Sequence, residues 1–270
     1  MKGKDRVGNP VLPEQRVAVV IPAKNESGRI AATVTSAKTI PLVDLVLVVD
    51  DGSQDQTRAK AQAAGAVVVR HSHNRGKAEA METGAAIVAM RDAAGTPDRL
   101  LLFLDADLGE TAAKAARLIM PVATGQVDFT VGVLPPQVGA AGFGAVVRLA
   151  RKAIARATGF TPRAPLSGQR CLTREAYEAA TPLAHGWGVE TAMTIDLLRQ
   201  GFAIKEVDCE LRHRPSGKSV RGAAHRLAQY RDVSLALAAR AVRIGSGSAW
   251  RRLIGLARHG RPPRRPSQLA

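Results

Sequence analysis

Asp105 and Asp107 stand one residue apart at the end of the apolar run Leu101-Leu102-Phe103-Leu104. A buried strand over 100–104 would bring both to its carboxyl end, where an open α/β sheet presents its ligand crevice. Alternation sends i and i+2 of a strand to the same face, so both carboxylates would converge on a small, hard cation such as Mg²⁺ or Mn²⁺. That is equipment for holding a diphosphate. The same pair would also serve simply to solvate a strand end and cap the next helix.

Three more polar clusters follow apolar or extended segments: Pro22-Ala23-Lys24-Asn25-Glu26, Asp50-Asp51-Gly52-Ser53 and Asn74-Arg75-Gly76-Lys77. Glu26 and Asp51 are suited to accept hydrogen bonds from ribose hydroxyls or a base amide. Either would equally serve as a helix-start acid. Lys77 opens a helix, where its charge and the free N–H groups favour a phosphate; taken alone it is a solvated lysine. Four such clusters in this order are more specific than any one. No GxGxxG follows the first strand and there is no GxxxxGK[ST], so dinucleotide-binding and P-loop chemistry lose their main support.

Strands at 16–22, 45–49, 66–69 and 100–104 alternate with helices at 26–37, 54–64 and 77–90. Proline stops the first strand. This rhythm predicts an α/β fold with a doubly wound, mainly parallel sheet flanked by helices. Beyond Glu110 the spacing predicts a helix at 111–122, a strand at 128–133 and a helix at 139–158. A loop running into a helix at 186–199, a strand at 203–211 and a basic helix at 220–243 complete the pattern. The expected organisation is an N-terminal extension (1–15), one domain (16–244) with a nucleotide-binding half (16–110) and a sugar or acceptor half (111–244), and a basic, disordered tail (245–270).

Composition narrows the partners. The chain of 270 residues is 46% hydrophobic and 3% aromatic, which offers bases few stacking platforms. Clustered carboxylates repel phosphates unless a metal intervenes, so nucleic acid is a poor partner. Two distant cysteines suggest neither a disulfide framework nor a zinc site, and the basic, proline-containing start is no signal peptide. No apolar run reaches the roughly 18 residues needed to span a bilayer. A cytoplasmic protein is expected, at most peripheral to the inner membrane face. The charge of +16 is concentrated late, with 14 Lys or Arg and one acid from Arg212 onward. Such a segment suits an anionic partner, although Arg-rich drift would produce part of it.

The order Val19-Val20-Ile21-Pro22-Ala23-Lys24-Asn25-Glu26, Val48-Val49-Asp50-Asp51-Gly52-Ser53, Arg75-Gly76-Lys77, Phe103-Leu104-Asp105-Ala106-Asp107 resembles family 2 type glycosyltransferases of the GT-A fold. The resemblance covers roughly 16–235. Pro165-Leu166-Ser167-Gly168-Gln169, Gly186-Trp187-Gly188-Val189-Glu190 and His213 narrow it to glucosyl-3-phosphoglycerate synthase and its relatives. It implies Asp107 and His213 as ligands of Mg²⁺ or Mn²⁺, and Asp105 near the donor ribose or sugar. It implies Pro22, Ala23, Asn25, Glu26, Asp51 and Lys77 around the nucleotide. Leu166, Ser167, Gly168 and Gln169 fall beside the sugar, and Glu190 near sugar and acceptor. Lys77, Asp105 and Glu190 are the expected catalytic residues. As a ligand His213 must be neutral, so activity should fall in acid; outside the resemblance, Arg212-His213-Arg214 reads as a solvated basic face.

The implied reaction moves a hexose, glucose first, from a nucleotide-diphosphate sugar such as UDP-glucose to an anionic small-molecule or lipid-phosphate acceptor. A Gly-Arg-x-Thr segment holds phosphoglycerate in relatives, and Gly144-Ala145-Val146-Val147 here lacks the arginine and threonine. A polyprenyl phosphate at the membrane surface, reached through the basic C-terminal segment, is therefore the nearest competing acceptor. A homodimer is compatible with either. A nucleotidyltransferase ranks lower, because its glycine-rich first loop is missing.

Overall fold

The computed structural model describes residues 15–135, 144–213 and 234. In chain order its first half holds β1 (Val17–Ala23), α1 (Ile30–Ala37), β2 (Val43–Asp50), α2 (Thr57–Ala63), β3 (Val67–Arg70), α3 (Lys77–Met90) and β4 (Leu100–Phe103). A 3₁₀ segment, Gly109–Leu118, then runs into α4 (Ile119–Ala123). The second half holds β5 (Phe129–Val133), α5 (Gly144–Thr158), β6 (Arg170–Leu172), α6 (Arg174–Ala180), α7 (Val189–Arg199) and β7 (Ile204–Asp208).

The strands form one sheet in the order β3-β2-β1-β4-β6-β5-β7. β1 to β4 are parallel, and β5 is parallel to β7. β6 alone runs against its neighbours, antiparallel to both β4 and β5. The sheet is covered on both faces, so its central strands are apolar throughout rather than alternating. Along β1, Val19 and Ile21 face a core with Ile30, Val34, Leu102, Leu104 and Leu118. Ala18 and Val20 face the other core, with Leu47, Met81, Val88, Phe103 and Met193.

Several boundaries differ from the sequence pattern, each for a physical reason. Pro22 does not stop β1, which continues to Ala23 and pairs Pro22 with Val49 of β2. The β4 ladder ends at Val20↔Phe103, with one further bond from Leu104 N–H to Val20 O, so the missing proline N–H falls beyond it. The helix expected at 111–122 is mostly 3₁₀ because hydroxyls of α1 take its backbone groups. Thr33 Oγ1 accepts from Gly109 N–H, and Ser36 Oγ accepts from Ala113 N–H while donating to Glu110 O. The first helix begins at Ile30 rather than 26, since Asn25 is left-handed (φ 54°) and the 26–29 turn precedes it. The strand expected at 203–211 is the shorter β7, and β6 and α6 have no counterpart in the expected pattern. Residues 1–14, 139–143 and 245–270, and 220–243 apart from Ser234, lie outside the described residues.

Candidate active site

The carboxyl ends of β1, β2 and β4 meet the start of α3, the 164–169 loop and the start of α7. β4 ends at Phe103, so strand alternation is not what brings Asp105 and Asp107 together. A turn does so. Asp105 N–H donates to Gln169 Oε1 (3.0 Å), and Thr33 Oγ1 donates to Ala106 O (2.8 Å). The two carboxylates therefore have different surroundings.

Asp105 faces Lys77, the first residue of α3, at 2.8 Å. The same Lys77 Nζ donates to Glu190 Oε1 at 2.8 Å, from the first turn of α7. Gln169, fully buried, donates to the second oxygen of Asp105. Burial opposes charge on Lys77, but Asp105 and Glu190 outweigh it and raise its pKa above the ordinary lysine range. Burial likewise opposes charge on Asp105, and the fields of Lys77 and His213 hold it below the usual carboxylate range. The result is one ammonium fixed between two carboxylates. Gly168 passes directly over it: a Cβ there would lie 2.5 Å from Lys77 Nζ and 2.8 Å from Asp105 Oδ1.

Asp107 pairs with His213 instead, Oδ1 to Nδ1 at 2.9 Å, and His213 Nε2 lies 3.9 Å from Asp105 Oδ2. Burial disfavours the imidazolium, yet Asp107 and Asp105 outweigh it, so the His213 pKa is raised. Thr111 holds the backbone just before it, its Oγ1 accepting from Arg212 N–H at 3.1 Å. Arg29 Nη1 donates to Asp107 O at 3.4 Å. A carboxylate oxygen and an imidazole nitrogen are donors that Mn²⁺ and Mg²⁺ accept. Among the described residues no group of three or more His, Cys, Asp or Glu side chains is disposed to hold a metal.

The remaining strand ends cross-brace each other. Asp51, 5% exposed, accepts from the backbone N–H of Arg75 (2.7 Å) and Gly76 (2.8 Å) and pairs with His71 Nδ1 (2.8 Å). Burial would raise its pKa; these hydrogen bonds and the His71 charge lower it instead. Asn25 Oδ1 accepts from Gln54 N–H, and Ser53 Oγ accepts from Asn25 N–H, both at 2.9 Å. Glu26 N–H donates to Thr57 Oγ1 at 2.8 Å. Asp51 thus shapes the turn that delivers Lys77.

This geometry is accompanied by likeness to known proteins. The sequence profile of glycosyl transferase family 2 matches residues 18–167, more than half of the chain. The chain belongs to glycosyltransferase family 2. Within the family it is 30% identical over 205 residues to glycosyltransferase AglJ of Haloferax volcanii, covering 74% of this chain and 64% of that protein. It is 31% identical over 228 residues to glucosyl-3-phosphoglycerate synthase of Mycobacterium tuberculosis, covering 73% and 65%. The chain therefore spans somewhat less than two thirds of these curated relatives. Crystal structures of the mycobacterial synthase share the fold. One, in complex with Mg²⁺ and UDP, superposes with TM-score 0.69 at 27% identity over 84% of this chain and 79% of that one. Another, in complex with Mn²⁺, UDP-glucose and phosphoglyceric acid, gives 0.66 at 27% identity, covering 84% and 80%. The mixed, mostly parallel sheet flanked by helices is thus the GT-A arrangement of those structures.

Of the residues singled out from sequence, Lys77, Asp105, Asp107, Gln169, Glu190 and His213 form one connected cluster. Pro22, Ala23, Asn25, Glu26 and Asp51 lie at the ends of β1 and β2, beside the turn leading to α3. Leu166 packs with Val146 and Ala150 of α5, while Ser167 and Gly168 continue the loop over Lys77. His71 and Thr33, which brace these turns, were not singled out as site residues from sequence. His71 directly follows β3, so the strand-end rule that found Asp51 would also have found it. Thr33 lies inside α1 and carries no such signal.

Proposed function

We propose that this chain transfers a hexosyl group, glucose first, from a nucleoside diphosphate sugar, UDP-glucose first, to an anionic acceptor. The observation supporting this most strongly is Lys77 Nζ, 2.8 Å from both Asp105 and Glu190 beneath Gly168, with the Asp107–His213 pair alongside. Pro22, Ala23, Asn25 and Glu26 receive the nucleotide, and Asp51 acts there chiefly through the turn it holds. Leu166, Ser167, Gly168 and Glu190 form the wall for sugar and acceptor, and Gln169 orients Asp105 from below.

Asp107 and His213 would hold Mg²⁺ or Mn²⁺; two protein donors suit an ion that completes its shell with diphosphate oxygens and water. When bound, the ion supplies neutralisation of the leaving diphosphate. Lys77 supplies a second, preorganised cation that needs no reorientation as that charge develops. The bond from the anomeric carbon to the diphosphate oxygen breaks, its electron pair leaving on the diphosphate. An acceptor oxygen forms the new bond and gives up any proton it carried to the departing diphosphate or to solvent. Glu190 and Asp105, both fixed on Lys77, orient sugar hydroxyls.

The test is UDP release from UDP-glucose with Mn²⁺, against phosphoglycerate and a short polyprenyl phosphate. Release stimulated by either acceptor is expected; absence of Mn²⁺-dependent UDP binding by calorimetry overturns the proposal. The lipid phosphate is favoured by two observations, the Gly144-Ala145-Val146-Val147 departure and the basic residues from Arg212 onward. No helix among the described residues is long and apolar enough to cross a membrane. Surface contact through the basic segment predicts salt-sensitive co-sedimentation with phosphatidylglycerol vesicles that is lost on deleting 245–270.

A further inference from the structure

Arg170 is the largest fully buried side chain in the described protein, 1% exposed in the middle of the sheet. Removing a guanidinium from water is costly and is offset only when its donors are well paired. Here the pairing is incomplete: Nε donates to Ser167 O (2.9 Å) and Nη1 to Thr194 Oγ1 (2.9 Å), while buried Nη2 has no hydrogen-bond partner. A thioether or aliphatic side chain would fill such a position more cheaply. Burial pushes the guanidinium down to about 10, against the fields of Glu190 and Glu206, so it stays charged at neutral pH.

What the two bonds connect is specific. Ser167 belongs to the loop that passes over Lys77. Thr194 Oγ1 donates in turn to Glu190 O (2.9 Å), one turn back along α7. Arg170 also lies in one cross-strand row, Phe103–Arg170–Val131–Glu206, in register through β4, β6, β5 and β7. At the far end of the row Glu206 accepts from the backbone N–H of Arg163 (2.9 Å) and Ala164 (2.8 Å). The 163–167 loop is therefore fastened at both ends to the same row.

We propose that Arg170 is a positioning residue, tying the Ser167–Gly168 turn and the Glu190 end of α7 to one row of the sheet so that both keep their distance from Lys77. The kinetic readout rests on the glycosyl-transfer reading above; the structural readout rests on the hydrogen bonds alone.

The experiment compares the full chain with Arg170→Met and Arg170→Lys. It measures melting temperature, Mn²⁺-dependent UDP affinity, hydrogen exchange over 164–169 and 189–194, and UDP release from UDP-glucose. Arg170→Met should keep UDP affinity and KM within about threefold and melt no earlier than the parent by more than a few degrees. Its exchange in both segments should rise about tenfold, and kcat should fall about 10- to 100-fold, the scale of a 1 Å misplacement. Arg170→Lys should recover part of both losses. Parent-like exchange or parent-like kcat in Arg170→Met overturns the proposal, as does a loss of UDP affinity in proportion to kcat. Should Arg170→Met fail to fold, Thr194→Val decides: faster exchange at 189–194 with unchanged UDP affinity supports the role, and parent-like exchange rejects it. A parent that binds no UDP would refute the glycosyl-transfer reading, while the exchange comparison would still decide the role of Arg170.

Discussion

At the residue scale the site is organised around charge that is fixed before any ligand arrives. Lys77 reaches Asp105 and Glu190 at the same 2.8 Å, and neither partner has to move to meet the other. Lys77 and Asp105 are partly exposed, which keeps that pair modest as a contribution to stability, whereas Glu190 is buried. For the proposed transfer their value would lie in geometry, since a preorganised cation avoids reorganisation in the transition state. Asp107 joins this cluster through His213, which pairs with it at 2.9 Å and lies 3.9 Å from Asp105. Asp107→Ala should therefore abolish Mn²⁺-dependent turnover of the donor, by at least about 100-fold, while the Lys77 cluster and the melting temperature stay close to parent. Metal titration followed by calorimetry, with melting as the control, checks this; turnover at the parent rate would remove Asp107 from the metal.

At the element scale, α3 matters because its first residue is Lys77. The helix lies close against β1: a Cβ at Gly84 would come 2.4 Å from Val20 Cγ1 and 3.4 Å from Val49 Cγ2. Both contacts are core side chains without room to retreat. Gly84→Ala should cost about 1–3 kcal/mol by overpacking, read as a lower urea midpoint at unchanged m-value, and a parent-like midpoint would show that the helix can lift freely. The same elements explain how much could be read in advance. β1, β2 and β4 are long or strongly apolar, and each leads to polar residues, so Glu26, Asp51, Asp105 and Asp107 were visible at their ends. β6 was not, because three residues beginning with a buried arginine carry no hydrophobic period. The 3₁₀ segment was not, because its pattern fits a helix and only the hydroxyls of Thr33 and Ser36, distant in sequence, divert its backbone bonds.

At the scale of the whole molecule, stability and chemistry sit at opposite ends of the sheet. Beside the start of β4, Arg99 bonds both oxygens of Asp44 at 2.8 Å and Asp92 at 2.6 Å, and Arg174 adds a second bond to Asp92 at 2.8 Å. Asp92→Ala would remove the carboxylate of largely buried Arg174, leave Arg99 with the Asp44 carboxylate alone, and should cost about 3 kcal/mol. Because the network is remote from Lys77, Mn²⁺-dependent UDP affinity should be unchanged; a parallel loss of UDP binding would show the two ends to be coupled. Asp51 is the exception, a site residue that also contributes to global stability. Its folded pKa lies below the ordinary 3.8. Its contribution is therefore fully present above that value and is lost as pH falls through the lower folded one. Urea unfolding should show stability dropping below about pH 4, with a shallower drop in Asp51→Asn. An identical drop in the variant would assign the acid sensitivity elsewhere.

β6 has one more consequence. Every parallel strand reaches the ligand edge at its finish, so what it offers is locked to the register of the strand before it. β6, running the other way, reaches that edge at its beginning, and the loop ahead of it is held at its two ends, by Glu206 and by Arg170. Changes between those two ties can reshape the wall proposed for sugar and acceptor while β1, β2 and β4 keep their register. On the proposed glycosyl-transfer reading, acceptor choice could then change without disturbing the strands that hold the nucleotide.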